Sequence, residues 1–312
     1  MTMPVLEVEG LSISFTQYDK GVRQRSLPVI RDLDLTIRPG QVMAVVGSSG
    51  SGKSLLAHGI LGILPYNARQ SGSIRYRGEP LTPRRAEELR GREIVLIPQS
   101  VGYLDPLMQV GPQIRKGRRD PASRARSREI LGRYHLGSEV EALYPFELSG
   151  GMTRRVLIST AVAEAPSLVI ADEPTPGLDP RSLHHIMDHF REIADSGAGL
   201  LLITHDLEAA LAIADRVAVF YAGETIEEAP ASDFAAEETL RHPYTRALWR
   251  AMPQHGFQPI PGAQPYPGAA PQGCPFLPRC PRRTAECGSA VPYRPVEGGF
   301  VRCLHPERGA GA

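Results

Sequence analysis

Between residues 5 and 46 apolar and polar positions alternate: Leu6 and Val8, then Leu11, Ile13 and Phe15, and later Leu33, Leu35 and Ile37. A period of two means extended chain with one buried face. The stretch predicts short antiparallel strands, with Tyr18 to Ser26 (YDKGVRQRS) as an exposed hairpin or loop. Val42-Met43-Ala44-Val45-Val46 abandons the alternation and predicts a strand covered on both faces. Leu55 to Leu64 has helical composition. Ser71 to Arg77 and Arg92 to Pro98 predict two further strands, the second ending at Gln99. From about 100 to 147 the strand signals thin out, and helix-compatible stretches such as Ser123 to Leu136 replace them. A helix-forming segment then runs from Met152 through Glu164. Leu168 to Ala171 and Gly199 to Thr204 predict buried strands, with a turn at Pro174 to Pro180 and a helix from Arg181 to Ala194 between them. Val217 to Tyr221 and Thr225 to Glu228, joined by a turn at Gly223, complete an α/β pattern. No internal repeat is visible.

The texture changes from about Ala229. A short helical piece around Asp233 to Met252 leads into a Pro/Gly-rich stretch, Pro253 to Pro271, and then to Cys274, Cys280, Cys287 and Cys303. This is a separate small tail domain or an extension closed over the rest.

Chemistry enters where the buried strand at 42–46 meets Gly47-Ser48-Ser49-Gly50-Ser51-Gly52-Lys53-Ser54. The stretch fits G-x-x-x-x-G-K-[ST] in the strand–loop–helix context that the motif needs. Glycines let successive N–H groups point inward at a phosphate chain, and the following helix adds its positive end. Lys53 is placed for the outer phosphates and Ser54 for Mg²⁺. About 120 residues later a strand ends in Asp172-Glu173. The first carboxylate orients Mg²⁺ or its water shell, and the second polarises an attacking water. His205 follows a core strand at the carboxyl edge, where ligands gather in open α/β sheets.

Composition narrows the reading. The 312 residues carry a net charge of +1, so no global field favours nucleic acid or anionic lipid. No apolar run approaches the roughly 20 residues of a membrane span, and the N-terminus lacks a basic-then-apolar signal pattern. A soluble cytoplasmic chain is expected, unless it docks on something embedded in the membrane. The arginines at 115, 118, 119, 124, 126 and 128 read as a solvated helical face. His184, His185 and His189, the last two at i, i+4, read as a solvated face as well.

Several stretches together resemble the ATP-binding cassettes of ABC transporters: the loop from Gly47 to Ser54, Gln99, Leu148-Ser149-Gly150-Gly151-Met152, Leu168 to Glu173, Gly177-Leu178-Asp179 and His205. They follow the family's order over about residues 5 to 230. The resemblance implies an α/β P-loop cassette with a RecA-like core, an antiparallel β subdomain and a helical subdomain at about 100–160. A small Cys-containing extension over 231–312 would follow. Two cassettes would sandwich two ATPs head to tail, with the amides of 148–152 meeting ATP held by the other copy. Residue by residue, Lys53 and Ser54 serve the phosphates and Mg²⁺, and Gln99 senses Mg²⁺ and the attacking water beside the point of membrane coupling. Asp172 supports the metal, Glu173 is the general base or water-orienter, and His205 contacts the γ-phosphate. Phe15 is expected to stack on adenine, with Tyr18 second. Met152 replaces the usual glutamine, a substitution familiar in the peptide and nickel branch. Thr153 stands where a basic residue is common.

The tail sharpens the branch. His242-Pro243-Tyr244-Thr245 with Ala247-Leu248, and the run from Gly273 to Pro281 (GCPFLPRCP), are similar to the C-terminal extension of dipeptide, oligopeptide and nickel import ATPases. Leu61 to Ile74 looks like the nickel member. The resemblance implies an ATPase that energises import of peptides, nickel or metal chelates from the cytoplasmic face of the inner membrane. Its partners would be a second cassette (a copy or a related chain), two permease subunits and an extracytoplasmic substrate-binding protein, with no nucleic acid. Rival readings are a soluble ABC ATPase acting on ribosomes or DNA and a redox-sensing regulatory ATPase. The first usually carries two cassettes or a long coiled-coil arm, and only about fifty residues separate Gln99 from Leu148.

Four thiols within thirty residues, spaced C-x5-C-x6-C-x15-C, suggest a soft metal centre in a reducing compartment. The pairs at C-x2-4-C that zinc favours are absent, and an iron–sulfur cluster tolerates looser spacing. Iron–sulfur, zinc and free thiols all stay open.

Overall fold

The computed structural model describes residues 2–18, 21–266 and 272–307. In its first part, strands β1 (Leu6–Tyr18) and β2 (Gln24–Ile37) are long, and β3 (Val42–Val46) leads into helix α1 (Lys53–Leu61). Strands β4 (Ala68–Tyr76) and β5 (Glu79–Pro80), helix α2 (Pro83–Leu89) and strand β6 (Ile94–Ile97) follow. The middle is helical: α3 (Val110–Ile114), α4 (Pro121–Arg133) and α5 (Gly150–Val162). Next come β7 (Leu168–Asp172), α6 (Pro180–Asp195), β8 (Gly199–Thr204), α7 (Leu207–Leu211), β9 (Arg216–Tyr221) and β10 (Glu224–Pro230). The tail adds α8 (Pro243–Arg250), β11 (Arg294–Val296) and β12 (Gly299–Val301).

Two sheets form. One is antiparallel in the order β2-β1-β4-β5; the other runs β11-β12-β10-β9-β3-β8-β7-β6, with its central strands parallel. The all-apolar β3 has a use for each face. Val42, Ala44 and Val46 enter a core shared with α6 and the tail, while Met43 and Val45 face α1 and the antiparallel sheet. Leu200 and Leu202 against Leu201 and Ile203 divide β8 the same way. A third apolar cluster, with Leu131, Leu136, Val140, Val156 and Leu157, holds the helical middle together.

Several boundaries differ from those the sequence suggests. The early region is not a set of short strands. β1 and β2 span 13 and 14 residues and run on into the segment expected to loop, so Tyr18 and Gln24 are still paired, while residues 19 and 20 lie outside the described set. Cross-strand pairing there outweighs the polar composition. α1 begins at Lys53 and stops at Leu61, because Gly62 adopts φ 63° and caps it. α4 is shifted toward Pro121, where the Asp120 side chain accepts from Ser123 N–H. The expected helical piece from Asp233 to Met252 is mostly 3₁₀ turns, with α8 its only α-helical part among the described residues. Part of the Pro/Gly-rich stretch, residues 267–271, lies outside them.

The tail is closed over the core. Phe234, Tyr244, Met252, Phe276 and Val291 share one apolar cluster with β3, and β12 pairs with β10 through Glu227↔Val301. The fully buried Glu227 accepts N–H bonds from Arg241 (2.8 Å) and His242 (2.7 Å). From β12's end the buried Arg302 donates to the Asp32 carbonyl at 3.0 Å and pairs with Glu224 at 3.7 Å. A burial cost this large is offset only when such charges are paired.

Candidate nucleotide-binding site

β3 lies between β8 and β9, and the chain turns immediately after it. A Cβ added at Gly47 would stand 2.2 Å from the Phe220 carbonyl oxygen, so the approach of β9 admits only glycine there. Gly50 (φ 78°) and Gly52 (φ 101°) take the left-handed turns that feed the chain into α1. Lys53, 6 % exposed, donates from Nζ to the carbonyls of Gly47 (2.7 Å) and Ser48 (3.0 Å). Burial lowers its pKa, and the neighbouring Glu173 and Asp172 carboxylates oppose that shift. Ser51 is buried, with a hydroxyl that finds no partner among the described residues.

From β7, Asp172 accepts the Ser54 hydroxyl at 3.1 Å. Burial raises the Asp172 pKa, with the Ser54 bond opposing. Glu173 adopts φ 47°, a conformation that costs a side-chain-bearing residue on the order of 1–3 kcal/mol and persists where the surroundings impose it. Its N–H still bonds the Ile203 carbonyl at 2.8 Å, the next step of the parallel ladder after the Asp172↔Ile203 pair. Glu173 Oε2 then lies 2.8 Å from His205 Nδ1 and 3.5 Å from Thr204 Oγ1. The carboxylate is buried while the imidazole is half exposed, so the pair spans the boundary between protein and solvent.

Ser49, Gly50, Gly52, Lys53, Ser54, Gln99 and Glu173 line one cleft of about 320 Å³. Val29 and Leu55 complete its wall; neither carries a sequence signal beyond that of an apolar position in a strand or helix. Residues 148–152 stand elsewhere. Ser149 caps α5 by accepting from Met152 N–H at 3.4 Å, Gly150 is exposed, and Leu148 and Met152 pack on the helical cluster. The α5 N-terminus thus presents its first amides at the surface, as an anion site requires. Phe15 packs against the core beside α1 and does not line the cleft, and Tyr18 borders a different groove with Tyr66. Sequence reasoning missed Arg154, a buried residue of α5 that donates to the carbonyls of Pro98 (3.0 Å) and Gln99 (2.5 Å). It ties the helix behind 148–152 to the backbone of Gln99.

One reading of surface character needs correction. His189 is buried, and its Nδ1 bonds the Tyr134 hydroxyl; burial lowers its pKa to about 4. Of the three histidines on that helix only His184 and His185 face solvent, and His184 has a carboxylate partner, Asp188, at 3.5 Å. The basic run is a solvated face as expected: Arg118, Arg119, Arg124, Arg126 and Arg128 are exposed, and Arg115 is drawn inward to pair with Glu141.

Cys274, Cys280, Cys287 and Cys303 line one small cavity with His242 and His305. All four are free thiols, and burial pushes Cys274 up to about 12 and Cys303 to about 11. Among the described residues no three His, Cys, Asp or Glu side chains stand in metal-holding geometry.

Comparison with known proteins settles the family. The ABC transporter family model matches residues 30–176, and the model for the C-terminal region of oligopeptide/dipeptide transporters matches residues 226–287. A putative peptide import ATP-binding protein of Brucella abortus is 36 % identical over 97 % of this chain and 95 % of its own length. This chain belongs to the ABC transporter ATP-binding subunits. Among these, the oligopeptide transport ATP-binding protein OppD of Salmonella typhimurium is 35 % identical over 97 % of this chain and 94 % of its own. A solved ATP-binding subunit of an ABC transporter superposes with a TM-score of 0.61 at 26 % identity, covering 74 % of this chain and 91 % of that one. A dimeric bacterial cassette shares the fold at 22 % identity, with a TM-score of 0.63 over 72 % of this chain and 98 % of its own. As an ABC subunit the chain is an ATPase working with ATP and Mg²⁺, and no described helix is long and apolar enough to cross a membrane.

Proposed function

We propose that this chain hydrolyses ATP to drive peptide import, docked at the cytoplasmic face of a membrane on a pair of permease subunits that a substrate-binding protein supplies. The observation that carries the catalytic part is the convergence of Lys53, Ser54, Asp172, Glu173 and His205 on one cleft edge. Peptide cargo is supported by the full-length likeness to peptide import subunits, which includes the tail.

In this reading Lys53 leaves the Gly47 and Ser48 carbonyls for the outer phosphates, so the bonds it gives up are replaced by charge-assisted ones. Ser54 and Asp172 offer hard oxygen donors 3.1 Å apart and suit Mg²⁺, with Gln99 at the far wall. Bound there, Mg²⁺ would neutralise charge building on the phosphates. Glu173 orients the attacking water and draws off its proton, while His205 keeps the carboxylate aimed and reaches the γ-phosphate. Ser149, Gly150 and Gly151 of a second cassette close the site from outside and exclude water. Tyr103, Leu107 and Met108, all exposed in the segment after Gln99, give a permease helix an apolar seat.

The cysteine cavity does not fit the soft-metal centre that the spacing suggested. The four thiols share one small cavity, but among the described residues no three donors stand in metal-holding geometry, and burial favours the protonated thiols of Cys274 and Cys303 over the thiolates a cluster needs. Free thiols are the reading the cavity supports, and iron and sulfide recovered from anaerobically purified protein would overturn it. Glu173→Gln tests the catalytic reading. It should retain ATP and the closed dimer while turnover falls by about a hundredfold or more. Turnover equal to wild type would refute the assignment.

A further inference from the structure

The tail returns to the phosphate cradle at a residue that no motif connects with it. Ser48 Oγ donates to Gln264 Oε1 at 2.5 Å, across 216 positions of chain. Ser48 in turn presents the carbonyl that accepts from Lys53 Nζ (3.0 Å) and from the Ser51 N–H (3.3 Å). The segment carrying Gln264 is fastened by Arg279, which donates to the carbonyls of Pro261 (2.7 Å) and Ile260 (3.0 Å) and to the Tyr221 hydroxyl (3.1 Å).

We propose that Gln264 is a positioning residue for ATP binding, which holds the cradle in its receptive shape through Ser48. The proposal rests on the nucleotide lying in the Gly47–Ser54 loop. That loop turns on two left-handed glycines, whose backbones have unusual freedom to lose when a ligand orders them. A side-chain bond at its second residue removes part of that freedom beforehand, so less of the binding energy goes into ordering. Gln264 does not line the cleft, so its effect falls on affinity and not on the chemical step.

The test uses the full chain with its partner cassette and Mg²⁺, a fluorescent ATP analogue as probe, and steady-state KM and kcat. Gln264→Ala should weaken nucleotide binding and raise KM by about two- to tenfold, the usual net worth of a hydrogen bond. The kcat should hold within about twofold and the melting midpoint within about 2 °C. Gln264→Glu, which keeps an acceptor oxygen, should bind like wild type. Ser48→Ala should reproduce the loss, and adding Gln264→Ala to it should cost nothing more. Wild-type affinity in Gln264→Ala, a loss that adds on the Ser48→Ala background, or a loss matched by a fall in melting point would each overturn the inference. Wild-type protein that fails to take up the analogue would instead bring down the cradle reading, and this one with it.

Discussion

At the scale of single residues, the site depends on a few groups held where they are unfavourable to hold. Glu173 keeps a left-handed backbone at the end of the β7–β8 ladder, with its N–H on the Ile203 carbonyl and its carboxylate against His205. Lys53 waits on backbone carbonyls, nearly out of contact with water, so incoming phosphate oxygens have little solvent to displace. Arg154 matters in another way. Its guanidinium satisfies the Pro98 and Gln99 carbonyls from inside the protein. Arg154→Ala leaves the buried Pro98 carbonyl unpaired and should lower stability by about 1–3 kcal/mol in urea denaturation. It should also uncouple Gln99 from α5, reducing turnover. A variant as stable as wild type would mean that water replaces the arginine without loss.

Among the elements, the joint between α4 and α6 carries a pH dependence. Tyr134, just past α4, bonds the buried His189 of α6, and Arg133 and Glu192 are the charged neighbours. His189 is neutral in the folded protein down to about pH 4, whereas an unfolded histidine protonates near 6.5. The unfolded chain therefore binds the extra proton first. Stability is intact above that upper value and is lost as pH falls toward the lower one, by at most about 3 kcal/mol. Urea midpoints followed from neutral pH to about pH 5 should fall less steeply for His189→Gln, which keeps an acceptor for the tyrosine. Parallel curves would place the acid sensitivity elsewhere, with the buried His242 next in line since burial lowers its pKa as well.

For the whole molecule, the decisive feature is that the tail completes the cassette. β12 covers the outer edge of β10, Glu227 takes its amide partners from the tail, and Phe276 and Tyr244 fill the same core as β3. A chain ending after Pro230 would bare a sheet edge, a buried carboxylate without donors and a wide apolar face. It should be recovered as aggregate, or as a species that exchanges the β9 and β10 amides rapidly. A soluble, protected truncation would show that the cassette closes without the tail. Two of the cysteines gain a plain structural role from the same packing, since Cys274 and Cys287 lie in that core and Cys280 packs against it.

Much of this was legible in advance, for a physical reason. The phosphate loop, the carboxylate pair after β7 and the α5 N-terminus depend on local backbone geometry. Glycines at fixed places and an apolar strand before a loop declare such geometry to anyone reading the chain. The layering was legible too, because a strand covered on both faces has no polar positions to spare. What the sequence left open is what distant segments do when they meet. His189 lies on the apolar face of its helix, three residues from Ile186 and four from Ile193, but that Tyr134 would meet it there is a matter of tertiary packing. Arg154 is one arginine among many until the Gln99 backbone lies beside it. The placing of Gln264 on Ser48 depends on how a proline-rich segment without periodicity crosses the finished sheet. Local conformational preference wrote the motifs into the chain; burial and long-range packing, which no short window contains, decided which side chains share a site.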